Sequence, residues 1–104
     1  ESLEVPEVLL RGEDNFALRV VGDSMVEEGI RDGDIVIVKR QRDAQNGQTV
    51  VALIGDDATI KQLHRRGRKI ELRPANPRLR SIVVDEGDIQ IQGIVIGLIR
   101  KLRR

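Results

Sequence analysis

The 104-residue sequence has no cysteine, tryptophan or tyrosine, and Phe16 is its only aromatic side chain. Without thiols there is no disulfide and no thiolate metal site. The expectation is a cytoplasmic chain that uses no metal and no cofactor. With so few aromatics, the core must be built from Val, Ile, Leu and Ala, and stacking platforms for single-stranded bases are missing. No apolar run approaches the ~18 residues of a transmembrane helix, so no membrane partner is expected. The opening ESLEVPEVLL lacks the basic start and apolar segment of a signal peptide. Formal net charge is only +1, which argues against a dedicated polyanion binder.

What is present is a globular balance, 39% hydrophobic and 34% charged, in a length that suits a single domain over residues 1–104. The charge is unevenly placed. The run His64-Arg65-Arg66-Gly67-Arg68-Lys69 and the tail Arg100-Lys101-Leu102-Arg103-Arg104 are basic, while residues 23–34 lean acidic. A solvated hairpin tip and a solvated terminus account for the basic runs. The competing reading is contact with nucleic acid phosphates, which predicts affinity that falls steeply with salt.

Short β-branched runs punctuated by Gly, Asp, Asn and Pro dominate the chain. Phe16-Ala17-Leu18-Arg19-Val20-Val21 reads as a strand, and residues 25–30 as one helical turn stopped by Gly29. Ile35-Val36-Ile37-Val38 is continuously apolar, so both its faces should be covered. Asn46-Gly47 turns the chain into a strand over 48–54, and Gly55-Asp56-Asp57 predicts a tight hairpin into Ala58-Thr59-Ile60-Lys61-Gln62-Leu63. Arg66-Gly67 turns again into the alternating Lys69-Ile70-Glu71-Leu72. Pro74-Ala75-Asn76-Pro77 interrupts regular structure. Strands over 81–84 and 89–98 complete the set. The expected class is mostly β: a compact sandwich or partly open barrel of short strands, with one short helical turn after Ser24.

Two residues carry potential chemistry. Ser24, in Gly22-Asp23-Ser24-Met25, follows a strand at a glycine turn, which exposes its hydroxyl and leaves nearby backbone N–H groups free to face an anion. A serine hydroxyl becomes nucleophilic only when a base takes its proton and donors stabilise the oxyanion. By itself, Ser24 could equally be a cap or turn residue. His64 lies among arginines at a hairpin tip and is a poorly motivated base. Lys61 shares a strand face with Thr59 and Leu63 and is the one cation in an otherwise uncharged strand. An ordinary lysine, with a pKa of about 10.4, is neutral roughly once in several thousand molecules at pH 7. Bringing that value near 7 takes an environmental penalty of about 4–5 kcal/mol on the charged form, which burial against Val, Ile and Leu can supply. An ordinary snorkelling lysine is the other reading.

The ordered set changes the balance. Gly22-Asp23-Ser24-Met25, Gly29-Ile30, Asp32-Gly33-Asp34, Asn46-Gly47-Gln48, Thr59-Ile60-Lys61, Glu71-Leu72, then Pro74 with Asn76, follow one another at compact spacing. They continue to Ile82-Val83-Val84-Asp85 and to residues 92–100. This order resembles the self-cleaving Ser–Lys peptidases that include the C-terminal catalytic domain of the LexA repressor, UmuD and CI-type phage repressors, and it covers essentially the whole chain. The resemblance implies Ser24 as nucleophile and Lys61 as general base. It implies an oxyanion hole from the backbone N–H groups of Asp23 and Ser24, and Thr59 as the hydrogen-bond support of the lysine. It further implies cleavage of an Ala-Gly bond in the protein's own chain, stimulated by a RecA filament on single-stranded DNA. A homodimer is implied through the last strand, at Ile94, Val95, Ile96, Gly97, Leu98, Ile99 and Arg100. Asp32-Gly33-Asp34 is expected to be a structural turn with no catalytic part.

No helix-turn-helix pattern and no Ala-Gly step precede Ser24, so operator DNA binding is expected only through an N-terminal domain outside this sequence. The alternatives are a UmuD-like polymerase accessory protein and a catalytically silent dimerisation module on the same fold. A type I signal peptidase would need a membrane anchor and an apolar membrane-facing surface that this chain does not show.

Overall fold

Valine, isoleucine and leucine, broken by turn residues every few positions, give seven strands in the computed structural model, which describes residues 14–102. The ESLEVPEVLL segment and the side chains of Arg103 and Arg104 lie outside these residues. The strands are β1 (Asn15–Arg19), β2 (Ile35–Arg40), β3 (Thr49–Ile54), β4 (Asp57–Arg66), β5 (Lys69–Arg73), β6 (Ile82–Asp85) and β7 (Gln90–Ile99). They form one antiparallel sheet in the order β1-β2-β7-β3-β4-β5-β6. The mostly β class is therefore as expected. The sheet stays open, because its edge strands β1 and β6 do not pair with each other. Among the described residues, helical structure is limited to two 3-10 turns, Val26–Glu28 and Glu86–Asp88, and no helix is long and apolar enough to cross a membrane.

Both faces of the central strands are covered, as the unbroken apolar runs require. Neighbouring side chains of β3 point to opposite faces. Val51 accordingly packs with Val20, Met25, Ile30, Val36 and Val38, whereas Val50 and Ala52 pack with Leu63, Ile70, Leu72 and Ile91. Residues 35–38 are buried throughout. The β3–β4 hairpin turns at Gly55-Asp56, with Ile54 opposite Asp57 and Gly55 at φ +60°, a conformation glycine reaches without steric cost.

β7 lies between β2 and β3 and changes register against both. The extra residue is Ile96 against β2 and Gln92 against β3, the latter next to Gly93. A Cβ there would collide with the Lys39 carbonyl oxygen and come within 2.7 Å of a Val38 methyl carbon, so only glycine lets the two backbones approach this closely.

Candidate active site

Ser24 belongs to the loop between β1 and β2, which is strapped shut at its base. Val20 N–H donates to the Asp34 carbonyl and Gly33 N–H to the Val20 carbonyl, both at 2.8 Å. Higher up, Gly22 N–H donates to the Asp32 carboxylate at 2.8 Å. Gly22 has φ +93°, which makes the sharp bend ahead of the serine accessible. Met25 then drops into the core, 2% exposed, and the 3-10 turn Val26–Glu28 ends at Gly29 in the left-handed conformation. The structural turn expected at Asp32-Gly33-Asp34 is present, and Asp34 does more than turn the chain. Its buried carboxylate accepts two hydrogen bonds from Arg100, at 2.8 and 2.7 Å, and one from the Arg31 N–H at 2.7 Å. Arg100 also donates to the Gly29 carbonyl at 2.6 Å. These donors, the Arg100 guanidinium first, hold the Asp34 carboxyl below its ordinary pKa although burial opposes them.

The β4 strand supplies Thr59, Ile60 and Lys61. These residues meet Asp23 and Ser24 around a cleft of about 390 Å³, walled on its apolar side by Leu18, Val20 and Leu79. Ser24 Oγ donates to the Ile60 carbonyl at a long 3.4 Å, while Lys61 Nζ donates to Thr59 Oγ1. The serine and the lysine thus share one cleft, Ser24 bonded to the residue before Lys61 and Lys61 to Thr59 on its own strand. Lys61 is 9% exposed, and burial lowers its pKa from the ordinary lysine value. Among the described residues, no carboxylate forms an ion pair with it. The amides of Asp23, Ser24 and Met25 donate to no described residue, whereas those of Gly22, Glu27, Glu28, Gly29 and Ile30 are all engaged.

A third segment closes the site. Between β5 and β6, Asn76 is 8% exposed and its Nδ2 donates to the Asp23 carbonyl at 2.9 Å, while Ala75 N–H donates to the Ser24 carbonyl at 2.8 Å. The sequence marked Pro74 and Asn76 as part of the ordered set but gave neither a contact. An asparagine bracketed by two prolines was the available signal: a polar side chain on a rigid loop calls for a nearby partner.

His64 is outside the cleft. Its Nε2 pairs with Gln62 Oε1 at 2.6 Å, and across the sheet it faces Glu71, whose carboxyl is pulled down to about 2 chiefly by Arg73. The basic hairpin tip is partly neutralised, with Lys69 ion-paired to Asp85 at 2.6 Å on the surface. In β7, Ile96 and Leu98 are 51% and 38% exposed, whereas Arg100 directs its guanidinium inward to Asp34. Among the described residues, no cluster of His, Asp and Glu is placed to hold a metal.

A chain of this architecture, with a serine and a buried lysine around one cleft, belongs to the Peptidase S24-like family, whose model matches residues 1–96. Its relatives include the LexA repressor of Syntrophobacter fumaroxidans, 57% identical over 104 residues, an alignment covering 100% of this chain and 50% of that protein. The LexA repressor of Syntrophotalea carbinolica is 51% identical over 102 residues, covering 97% of this chain and 50% of the relative. That of Thermotoga maritima is 46% identical over 101 residues, covering 96% and 51%. The chain spans about half the length of the curated relatives it matches. The resemblance carried by the ordered motifs is borne out by these matches.

Proposed function

We propose that this chain is the catalytic half of a LexA-type repressor and hydrolyses a peptide bond with a Ser24–Lys61 dyad. The observation that carries the proposal is the burial of Lys61, without a carboxylate partner among the described residues, in the cleft that holds Ser24. Burial disfavours the ammonium, and a neutral amine can accept a proton. The neutral amine of Lys61 takes the Ser24 hydroxyl proton as Oγ attacks the scissile carbonyl. The oxyanion is received by the backbone N–H groups of Asp23 and Ser24, which have no competing acceptor among the described residues. The proton then passes from Lys61 to the leaving amine, and water, deprotonated by the same lysine, releases the acyl group.

In this reading the substrate is an Ala-Gly bond of the protein's own full-length chain, and a RecA filament on single-stranded DNA favours the cleavable state. Operator DNA binds through an N-terminal domain. Exposure of Ile96 and Leu98 on β7 supports a homodimer along that strand. A silent dimerisation module would leave the desolvation of Lys61 without a use.

The test is cleavage in trans. This chain is mixed with a full-length LexA relative in which alanine replaces the serine equivalent to Ser24, from pH 6 to about pH 10. Cleavage should rise with pH, with a midpoint below that of an ordinary lysine, and vanish in Ser24→Ala and Lys61→Ala. If an extended chain carrying its own Ala-Gly bond also stays intact throughout, the silent module is the correct reading.

A further inference from the structure

We propose that Asn76 is a positioning residue that aims the backbone N–H of Ser24 into the cleft, an inference that rests on the Ser24–Lys61 reading. Its side chain is hydrogen-bonded at both ends in a way that leaves one orientation. The Asp23 carbonyl can only accept and the Arg78 N–H can only donate, so Nδ2 must face the first, at 2.9 Å, and Oδ1 the second, also at 2.9 Å. The Asn76 carbonyl accepts the Leu79 N–H at 3.0 Å, which fixes the backbone that carries the side chain. Pro74 and Pro77 restrict this loop from both sides.

The consequence runs through the peptide plane. In a trans peptide, the carbonyl and the following N–H point in opposite directions, and no cis bond is present among the described residues. Holding the Asp23 carbonyl against Asn76 turns the Ser24 N–H away from the 74–79 loop. Ala75 does the same one residue on: it holds the Ser24 carbonyl at 2.8 Å and so turns the Met25 N–H. The amides so turned are among those that donate to no described residue. Asn76 touches no reacting atom. Its effect is on the direction of a donor that must already be aimed when negative charge develops.

The experiment measures phosphonylation of Ser24 in this chain by an alkyl fluorophosphonate, followed by intact mass, from pH 6 to about pH 10. The phosphoryl oxygen of the probe occupies the oxyanion position. The plateau rate then reports the amides, and the pH midpoint reports the burial of Lys61. Asn76→Ala should lower the plateau at least ~10-fold, a smaller loss than outright deletion of an oxyanion donor, and leave the midpoint where it is. Asn76→Asp keeps the acceptor for Arg78 and the side-chain shape but loses the donor, and its plateau should fall similarly. Wild-type plateaus in folded variants would overturn the proposal. So would a midpoint that climbs to the ordinary lysine value in Asn76→Ala, or loss of a cooperative melt in both variants, because Asn76 would then act only on the fold. If the unsubstituted chain is not labelled, or is labelled equally after Lys61→Ala, the dyad reading itself fails, an outcome separable from failure at Asn76.

Discussion

Lys61 carries a charge-bearing amine where its surroundings disfavour charge, and that has a cost for the fold as well as a use. Its folded-state pKa lies below the unfolded value of about 10.4. Between those two values the unfolded chain binds more protons than the folded one, so stability rises with pH until about 10.4 and the deficit is greatest below the folded-state value. Lys61→Met should therefore raise the melting temperature at pH 7 by several degrees and remove the alkaline rise, as read by thermal melts from pH 7 to about pH 10. At this scale the site was half legible. Ser24 and Lys61 stand out because few side chains can do nucleophilic and basic work in a chain with no cysteine and one histidine. Asn76 did not, because its contact with Asp23 joins residues 53 apart, and local patterning carries no information over that separation.

Strands are set by side-chain alternation and turn chemistry, and those elements were read with shifts at their ends. The strand expected over 16–21 stops at Arg19: the Val20 amide still donates to the Asp34 carbonyl in register, but the Asp34 amide turns to the Arg31 carbonyl and the Val20 carbonyl takes the Gly33 N–H, which ends the ladder. The strand expected to end at Leu63 runs on to Arg66, since β5 supplies partners for His64, Arg65 and Arg66 that outweigh their preference for solvent. Strand order and the shape of the sheet were beyond such reading. Nothing local announces that β7 separates β2 from β3, or that the sheet remains open. Gly93 marks that placement physically. Gly93→Ala should cost about 1–3 kcal/mol, as overpacked cores do, measured by the midpoint of urea unfolding at an unchanged slope. The same change at Gly87, where an added Cβ meets nothing within 4 Å, should cost much less.

Over the whole molecule, the pair Asp34–Arg100 ties the end of β7 to the base of the Ser24 loop across 66 residues, with the Asp34 side chain 3% exposed. Because the Asp34 carboxyl is held below its ordinary value, its contribution is present above about pH 3.9 and is lost as pH falls through the folded-state value. Asp34→Asn should lower the melting temperature at pH 7 by on the order of 10 °C and flatten the acid decline, with thermal melts from pH 2 to 7 as the measurement. The position of β7 has a consequence in time. β1 and β2, which flank Ser24, lie on one side of it, and β3 and β4, which carry Lys61, lie on the other. A chain leaving the ribosome amino end first presents serine and lysine long before residue 99, yet the sheet that joins their two halves cannot form until β7 slides between them. The cleft that brings Ser24 and Lys61 together is thereby completed only once synthesis has passed the last strand.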